Sequence, residues 1–310
     1  MSKTFVVFGA TGQQGNSIID YVLNDLELSQ QYSIRAITRD VTSEKAKKLQ
    51  GRVEVVCGDI LDRPSIETAL TGAHTVFINT APLINPDVEY DTVKTIADIV
   101  VEKNAKYIIF STLPSICELS GGRYTKVAPF DAKSKAEKYI RGLPIQSSFC
   151  SLGSFMENFE SNSFLKPRKE EDGSWMVALH VSPNVEWPLI NARKDTGKFV
   201  GAILSEPDKF AGKTFCGATK MYSMEEIIAI MSKSTGKDIA YKRISNDELK
   251  KRWNLPDGLV DMFMEMISFL DDTGYFGTDS RDLVAWAAKN ARGTLSTLEE
   301  YFEAHPLRLE

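Results

Sequence analysis

The sequence predicts an α/β fold, with a doubly wound parallel sheet in the N-terminal half and a smaller C-terminal α+β domain after it. Short apolar runs alternate with amphipathic helical patterns through the first half, which indicates parallel strands joined by right-handed crossover helices. A cluster of glycines lies directly between the first apolar run and the first helical pattern. With 310 residues, of which 43% are hydrophobic, the chain can bury the core that such a sheet needs.

The first strand ends in a glycine-rich turn, because Gly9, Gly12 and Gly15 stand between an apolar run that ends at Phe8 and a helix that begins near Gln13. Glycine tolerates the backbone angles of such a turn, and its missing side chain lets a pyrophosphate reach the N–H groups of the helix. A tight turn without a ligand is the alternative, since the spacing Gly-x-x-Gly-x-x-Gly differs from the usual Gly-x-Gly-x-x-Gly. The placement favours a dinucleotide site of the Rossmann type. Its predicted contacts are Gly9, Thr11, Gly12, Gln13, Gln14 and Gly15.

The same alternation predicts the other elements of the sheet. Six strands are expected near residues 4–9, 32–38, 53–58, 75–80, 106–112 and 145–151. Two helices with clear apolar faces run from Gln13 to about Leu26 and from Val88 to Lys103, and a shorter, more charged helix runs from Asp131 to Arg141. Residues 1–153 are therefore the predicted NAD(P)-binding Rossmann domain.

After Gly153 the alternation stops, and residues 154–310 are predicted to form a smaller domain for a substrate or a partner. The segment from about residue 186 to 218 can return to the sheet. Ser223 followed by Glu226 fits a capping box at the start of one helix. The helices predicted here run from Asp195 to Leu204, Ser223 to Thr235, Asn246 to Trp253 and Pro256 to Leu270.

The end of the second strand indicates which coenzyme to expect. NAD-binding versions of the fold place an acidic residue there, which binds both ribose hydroxyls, whereas a basic residue accommodates a 2′-phosphate. Thr38 stands at the acidic position and Arg39 follows it, which favours NADP(H) because a guanidinium is a permanent, planar partner for phosphate. Asp40 is the contrary feature, because NAD becomes competitive if Asp40 lies at the strand tip. Lys45 and Lys47 can add positive charge at the start of the next helix, although a solvated helix face is the favoured explanation of these lysines.

Polar residues follow the third and fourth strands at the same edge of the sheet. Asp59 can accept a hydrogen bond from the adenine amino group, and it can also serve as a turn or cap residue for the helix beginning at Pro64. Asn79, Thr80 and Ala81 follow the fourth strand, at the edge where doubly wound sheets hold their ligands. We expect these three residues to contact the nicotinamide side of the coenzyme.

Composition argues against several function classes. The formal charge of −5 gives no general attraction for nucleic acid, and no apolar stretch approaches the roughly 20 residues that cross a membrane. A cytoplasmic location is expected, or a nuclear one for a regulator. The four cysteines lack Cys-x-x-Cys spacing and nearby histidines, so we interpret them as reduced packing thiols and expect no metal. They are Cys57, Cys117, Cys150 and Cys216.

The chain resembles the NmrA-like family of atypical short-chain dehydrogenases, which includes isoflavone-reductase-like and quinone-reductase-like members. The resemblance covers essentially the whole length. Its motifs stand at residues 7–15, 35–39, 130–133, 153–159, 223–227 and 274–277. It implies a Rossmann domain and a smaller C-terminal domain, with the nicotinamide and any substrate in the cleft between them.

The catalytic tyrosine of typical short-chain dehydrogenases is absent. In those enzymes a Tyr-x-x-x-Lys motif supplies a proton donor and a lysine that binds the nicotinamide ribose. Lys133 is present, but Pro129 stands four residues before it, so ordinary ketone reduction should be poor. The resemblance assigns Lys133 to coenzyme binding first and to catalysis second. It places Ser111 at the serine of the usual triad, where the hydroxyl can polarise an oxygen or act only as a cap.

Other candidates lie near the cleft that the resemblance implies. Tyr90, Tyr124 and Glu157 are candidates for the missing proton donor, and Tyr90 is the one we assign to catalysis. Phe155 and Asn158 are expected to line the nicotinamide side, against the alternative of ordinary packing at the domain junction.

Three functions are compatible with this pattern. The favoured one is an NADPH-dependent reductase of a small organic electrophile, such as a quinone, an enone or an iminium ion, that needs little acid help. The second is a non-catalytic sensor that binds NADP(H) and acts through a regulatory protein partner. The third is a non-redox enzyme that retains bound NADP. The fold alone does not choose among them.

Overall fold

The computed structural model describes residues 2–80, 86–160, 164–253 and 255–309. The strands are β1 (Lys3–Val7), β2 (Tyr32–Thr38), β3 (Glu54–Cys57), β4 (Thr75–Ile78), β5 (Tyr107–Thr112), β6 (Gln146–Leu152), β7 (Ser154–Phe155), β8 (Arg168–Lys169), β9 (Trp175–Leu179), β10 (Glu186–Ile190), β11 (Thr214–Gly217), β12 (Lys220–Ser223) and β13 (Ile239–Arg243). The helices are α1 (Gln13–Asn24), α2 (Leu28–Gln31), α3 (Glu44–Lys47), α4 (Arg63–Ala69), α5 (Pro86–Glu102), α6 (Ile116–Leu119), α7 (Ala128–Arg141), α8 (Ala192–Ser205), α9 (Pro207–Phe210), α10 (Met224–Thr235), α11 (Asn246–Arg252), α12 (Asp257–Thr273), α13 (Ser280–Asn290) and α14 (Leu298–Ala304), and a 3-10 turn covers Met156–Glu160.

A parallel sheet forms the centre of the fold. Among the described residues it has seven strands, in the order β11-β6-β5-β4-β1-β2-β3, and each neighbouring pair is parallel. The order reverses between β1 and β4, which is where doubly wound sheets bind ligands. The predicted fold class is confirmed, and all six predicted strands are present. The seventh strand, β11, lies in the segment expected to return to the sheet.

Helices cover both faces of this sheet. The apolar sides of α1 and α8 pack on one face, with Ile18 and Phe199 fully buried, and α5 and α7 pack on the other, with Val93 and Ile140 fully buried. Helix α7 begins at Ala128, three residues before the predicted start. The proline of its first turn is compatible with this, because the first N–H groups of a helix need no intrahelical partner. Within the described ranges, none of the helices has the length and apolar composition that crossing a membrane requires.

Helices α1 and α8 approach each other closely because glycines lie on the facing side of α8. A Cβ at Gly197 would lie 2.4 Å from both the Ser17 carbonyl oxygen and the Tyr21 Cβ, and a Cβ at Gly201 would lie 2.4 Å from the Tyr21 ring. The Gly197 N–H donates to the Ser17 hydroxyl at 3.0 Å. This contact fixes residues after β10 against the helix that follows the glycine turn.

Gly197→Ala is therefore expected to lower the free energy of unfolding by about 1–3 kcal/mol, the usual cost of overpacking a filled interface. Urea denaturation measures the change. Gly258→Ala is the matched control, because Gly258 also lies in a helix but has open space around its Cβ. The control should be neutral or slightly stabilising, and equal effects of the two substitutions would contradict the close approach of α1 and α8.

The described part of the C-terminal half adds two three-stranded sheets, with the orders β12-β10-β7 and β13-β9-β8, and the helices packed on them. The Ser223 hydroxyl caps α10 as predicted, accepting from the Glu226 N–H at 3.1 Å. The predicted capping box was wrong, however, because the Glu226 carboxylate pairs with Lys220 instead. A reciprocal capping box is present at α14, between Thr297 and Glu300.

The cysteines differ in their surroundings. Cys150 and Cys216 are buried, and burial raises the pKa of each thiol to about 12. Both therefore behave as packing thiols. Cys57 is exposed at the end of β3, so interpreting it as a packing thiol was wrong.

Candidate functional site

The glycine turn leaves the N-terminus of α1 open. Gly9 has a φ of +67°, in the left-handed region that favours glycine, and its carbonyl accepts from the Gly12 N–H at 3.0 Å. A Cβ at Gly15 would lie only 2.3 Å from the Gly9 carbonyl oxygen, so glycine is required where α1 passes the turn. Gly12 is the N-cap residue, and no side chain of the described residues caps the helix there. The first N–H groups of α1 are thus available to an anion.

These features fit the diphosphate of a dinucleotide. The first turn of α1 carries no acidic residue, so the positive end of the helix dipole is not neutralised. Gly12 is exposed, and Thr11, Gln13 and Gln14 are half-buried around it. The structure brings the predicted loop residues together at the carboxyl end of β1.

The residues after β4 lie against the same turn. The Phe8 N–H donates to the Phe77 carbonyl at 3.0 Å, which joins the chain just after β1 to β4. A Cβ at Gly9 would lie 3.0 Å from the Asn79 side-chain Nδ2, so the absence of a side chain at Gly9 lets Asn79 approach. Thr80 follows and is buried. Ala81, the third residue predicted here, lies outside the described residues.

The end of β2 presents Arg39 to solvent. Thr38 is the last residue of β2, and Arg39 follows it as an exposed side chain. In the described part of the chain, no carboxylate forms an ion pair with the Arg39 guanidinium. The guanidinium is therefore available to an anionic ligand at the edge that also holds the glycine turn.

The Asp40 carboxylate is engaged in its own loop. Its Oδ1 accepts from the Thr42 N–H at 2.8 Å and from the Thr42 hydroxyl at 2.6 Å. The hydrogen bond from the Thr42 hydroxyl is the largest cause that lowers the pKa of Asp40. The strand tip belongs to Thr38, and Asp40 helps to turn the chain towards α3.

Asp59 lies just after β3 and shapes a turn. Its Oδ1 accepts from the Leu61 N–H at 3.0 Å, and its own N–H donates to the Ser65 hydroxyl at 3.1 Å. Helix α4 begins at Arg63. Two roles were predicted for Asp59, as a turn residue and as an adenine contact. The structure shows the turn role, and the predicted adenine contact is compatible with it.

Ser111 joins β5 to the glycine-turn helix. The residue is 3% exposed, and its hydroxyl donates to the Gln14 side-chain Oε1 at 2.9 Å. The hydroxyl proton is therefore engaged within the protein, while the oxygen retains its capacity to accept. The structure brings the predicted catalytic serine beside a predicted coenzyme contact.

Lys133 lies in a buried polar cluster between α7, α5 and the end of β4. Its Nζ donates to the Thr80 carbonyl at 3.2 Å and to the Thr80 hydroxyl at 3.1 Å, and it pairs with the Glu89 Oε1 at 2.8 Å. The Thr80 hydroxyl in turn donates to Glu89 at 2.8 Å. Burial lowers the pKa of Lys133, and the charge and hydrogen bond of Glu89 oppose that shift.

Glu89 is the site residue that the sequence analysis missed. It is 1% exposed and lies on the side of α5 that also carries Val93 and Ile96. A carboxylate on an otherwise apolar helix face was the available signal, because a buried charge requires a partner. The partner, Lys133, lies on another helix and is not indicated by local spacing.

The three residues predicted as candidate proton donors make different contacts in the structure. Tyr90 packs at the contact of α5 with α7, with the Lys135 Nζ 4.1 Å from its ring centroid. The Tyr124 hydroxyl donates to the Asp272 carboxylate at 2.5 Å. Glu157 is buried and accepts from two backbone N–H groups at the start of α8, so it acts as a helix cap.

Phe155 and Asn158 follow the last strand predicted for the sheet. Phe155 belongs to β7, which pairs with β10, and its half-buried ring packs against the core beside α1 and α8. Asn158 is an exposed residue of the 3-10 turn. The structure places both at the junction between the large sheet and a small one.

Comparison with known proteins agrees with this architecture. An NmrA-like protein of Dictyostelium discoideum is 28% identical over the full length of both chains. An NmrA-like oxidoreductase of Aspergillus campestris is 29% identical, covering 78% of this chain and 76% of that protein. The crystal structure of NmrA, a negative transcriptional regulator in complex with NADP, superposes with a TM-score of 0.80 at 24% identity, covering 99% of this chain and 98% of NmrA. The sequence profile of the NmrA-like family matches residues 1–302, and the chain belongs to that family.

Proposed function

We propose that the protein binds NADP(H) and uses it to reduce a small organic electrophile, such as a quinone, an enone or an iminium ion. The exposed Arg39 guanidinium carries the proposal, because it stands beside the strand edge of the glycine turn without an ion-pair partner among the described residues. Residues 1–153, with α8 and β11, would form the coenzyme-binding unit, and the remaining residues would hold the substrate or a partner.

The choice of NADP over NAD rests on two neighbouring side chains. A 2′-phosphate requires a cation at the end of β2, whereas a free ribose requires a carboxylate there. Arg39 offers the cation, and the Asp40 Oδ1 is already occupied by two hydrogen bonds from Thr42. NmrA, which has this fold, was crystallised with NADP and also with NAD, so the likeness supports dinucleotide binding and the choice of NADP rests on Arg39.

Arg39→Ala is expected to weaken NADP binding about 10-fold or more, since a hydrogen bond to a charged group contributes about 1.5–3 kcal/mol. NAD binding should not change, because NAD lacks the 2′-phosphate. Isothermal titration calorimetry with both coenzymes measures this. Lys45→Ala is the matched control, a nearby exposed cation on α3 that should change NADP affinity less than about threefold. Equal affinities of wild type and Arg39→Ala for NADP would contradict the assignment.

The kind of electrophile follows from the residue that replaces the tyrosine. Bound NADPH supplies a hydride, and the protein supplies position and electrostatics. Pro129 has no proton to donate, and the Ser111 proton is engaged by Gln14. A quinone takes its protons from water and an iminium ion already carries positive charge, so both tolerate the loss. The oxidoreductase name of the Aspergillus campestris relative supports this proposal.

Incubating the purified protein with NADPH and a panel of quinones, enones and imines tests the proposal. Loss of the NADPH absorbance with at least one electrophile is the expected result, and it should be absent with NADH at the same concentration. A parallel titration of NADP and NAD separates binding from turnover. Tight NADP binding without turnover of any electrophile would contradict the reductase.

A sensor that acts through a protein partner is the second candidate. Two observations favour it: the Ser111 proton and the Lys133 ammonium are both already engaged inside the protein, and NmrA, which has this fold, is a transcriptional regulator. Tight coenzyme binding that differs between NADP and NADPH, with no turnover, is the result expected for a sensor.

A further inference from the structure

We propose that Glu89 is a positioning residue that holds the Lys133 ammonium at the carboxyl end of β4 and thereby sets where the positive charge of Lys133 acts on the coenzyme. The proposal rests on the NADP(H) binding proposed above. Glu89 itself is buried and acts through Lys133, so it is not proposed to touch the reacting atoms.

The geometry leaves the ammonium little freedom. An ammonium has three N–H donors, and among the described residues three acceptors surround the Lys133 Nζ: the Thr80 carbonyl at 3.2 Å, the Thr80 hydroxyl at 3.1 Å and the Glu89 Oε1 at 2.8 Å. Two of the acceptors belong to Thr80, which follows Asn79 in the chain. The Asn79 side chain lies against the glycine turn. Glu89 also accepts from the Thr80 hydroxyl, so it fixes both residues at once.

Packing alone does not explain a carboxylate at this position. Glu89 lies on the apolar side of α5, and among the described residues its Oε2 has no hydrogen-bond partner. A buried carboxylate with an unpaired oxygen is costly for stability, and an apolar residue of similar size would fit such a face better. The role of Glu89 in positioning Lys133 would explain why a destabilising carboxylate stands at this position.

Glu89 also keeps Lys133 charged. Phe110 of β5, which faces the ammonium, carries no charge, and Thr80 at the end of β4 is neutral. Among the described residues, Glu89 is the ionisable group that acts on Lys133, and it opposes the lowering of the pKa of Lys133 by burial. Without that negative charge, Lys133 would lose its proton at a lower pH.

The test compares Glu89→Gln with wild type by titrating NADPH from neutral to alkaline pH. The substitution keeps the shape of the side chain and removes its charge. We expect about 10-fold weaker binding at neutral pH and an alkaline loss of binding that begins at lower pH, because the ammonium is lost earlier. Glu102→Gln is the matched control, on the same helix but exposed and paired with Arg63, and its binding curve should match wild type.

Three outcomes overturn the proposal in distinguishable ways. A folded Glu89→Gln protein with the affinity and pH profile of wild type overturns it and leaves NADP(H) binding intact. Wild-type protein that binds neither coenzyme overturns the proposed function and this inference together. Where Glu89→Gln fails to fold, Glu89→Asp decides: it keeps the charge on a shorter side chain, so weaker binding with a nearly wild-type alkaline limit supports the proposal, and unchanged affinity overturns it.

Discussion

Gly15→Ala is expected to weaken coenzyme binding strongly and to destabilise the protein. The new Cβ would lie 2.3 Å from the Gly9 carbonyl oxygen and 2.7 Å from the Ala10 Cα, and both are backbone atoms that no side-chain rotation can move. The turn must therefore shift, which should cost about 1–3 kcal/mol of stability. Affinity for NADP should fall about 100-fold or more, as expected when binding groups move by an ångström.

The companion substitution is Gly12→Ala. Its Cβ would have one neighbour within 4 Å, the Gly9 carbonyl oxygen at 3.3 Å, so the protein should unfold at nearly the wild-type urea concentration. It should still bind NADP less tightly, because the added methyl group stands at the N-cap of α1 where the diphosphate would approach. Wild-type affinity in both variants would show that this turn is not the diphosphate site.

Lys133→Met is expected to have the largest effect on stability. It removes one partner of a buried ion pair and leaves the Glu89 carboxylate, 1% exposed, without its counter-charge. Breaking such a pair costs about 3–5 kcal/mol in the free energy of unfolding, which urea denaturation measures. The double variant Glu89→Leu with Lys133→Met should recover most of the loss, because no charge then remains buried. If the single and double variants lose the same free energy of unfolding, Glu89 and Lys133 are not a coupled pair.

The ion pair also has a pH signature. The pKa of Lys133 is lowered in the folded protein from its ordinary value of 10.5. At a pH between the lowered pKa of Lys133 in the folded protein and its ordinary pKa in the unfolded chain, the unfolded chain binds more protons. Over this pH range, Lys133 therefore makes the free energy of unfolding rise with pH. Lys133→Met should remove this rise. An identical slope in wild type and variant would show that Lys133 does not titrate as the burial indicates.

Strong local patterns account for the parts of the fold that the sequence predicted. The glycine turn was predictable because Gly9, Gly12 and Gly15 stand directly between an apolar run and a helical pattern, a placement typical of a dinucleotide-binding turn. The parallel sheet was predictable because strands buried on both faces appear as continuous apolar runs. Strand β11 was indicated only as a possible return, because four residues, Thr-Phe-Cys-Gly, carry too little periodicity to define a strand.

The connections within the candidate site were not predictable, because they join residues far apart in the chain. Ser111 and Gln14 are 97 residues apart, and nothing near either residue indicates the other. Lys133 was selected by resemblance, but its partner Glu89 depends on how α5 and α7 pack. Asp40 is a different case, because its hydrogen bonds from Thr42 are local and join residues only two positions apart.

The return of the chain to the sheet affects how the protein is made. The N-terminal half emerges from the ribosome with β6 as an open edge and with the side of α1 that will meet α8 still bare. Residues up to Gly217 must be synthesised before β11 pairs with β6 and Gly197 packs against α1. A nascent chain that pauses before this point exposes an unpaired strand and an apolar helix surface, the two features that promote aggregation.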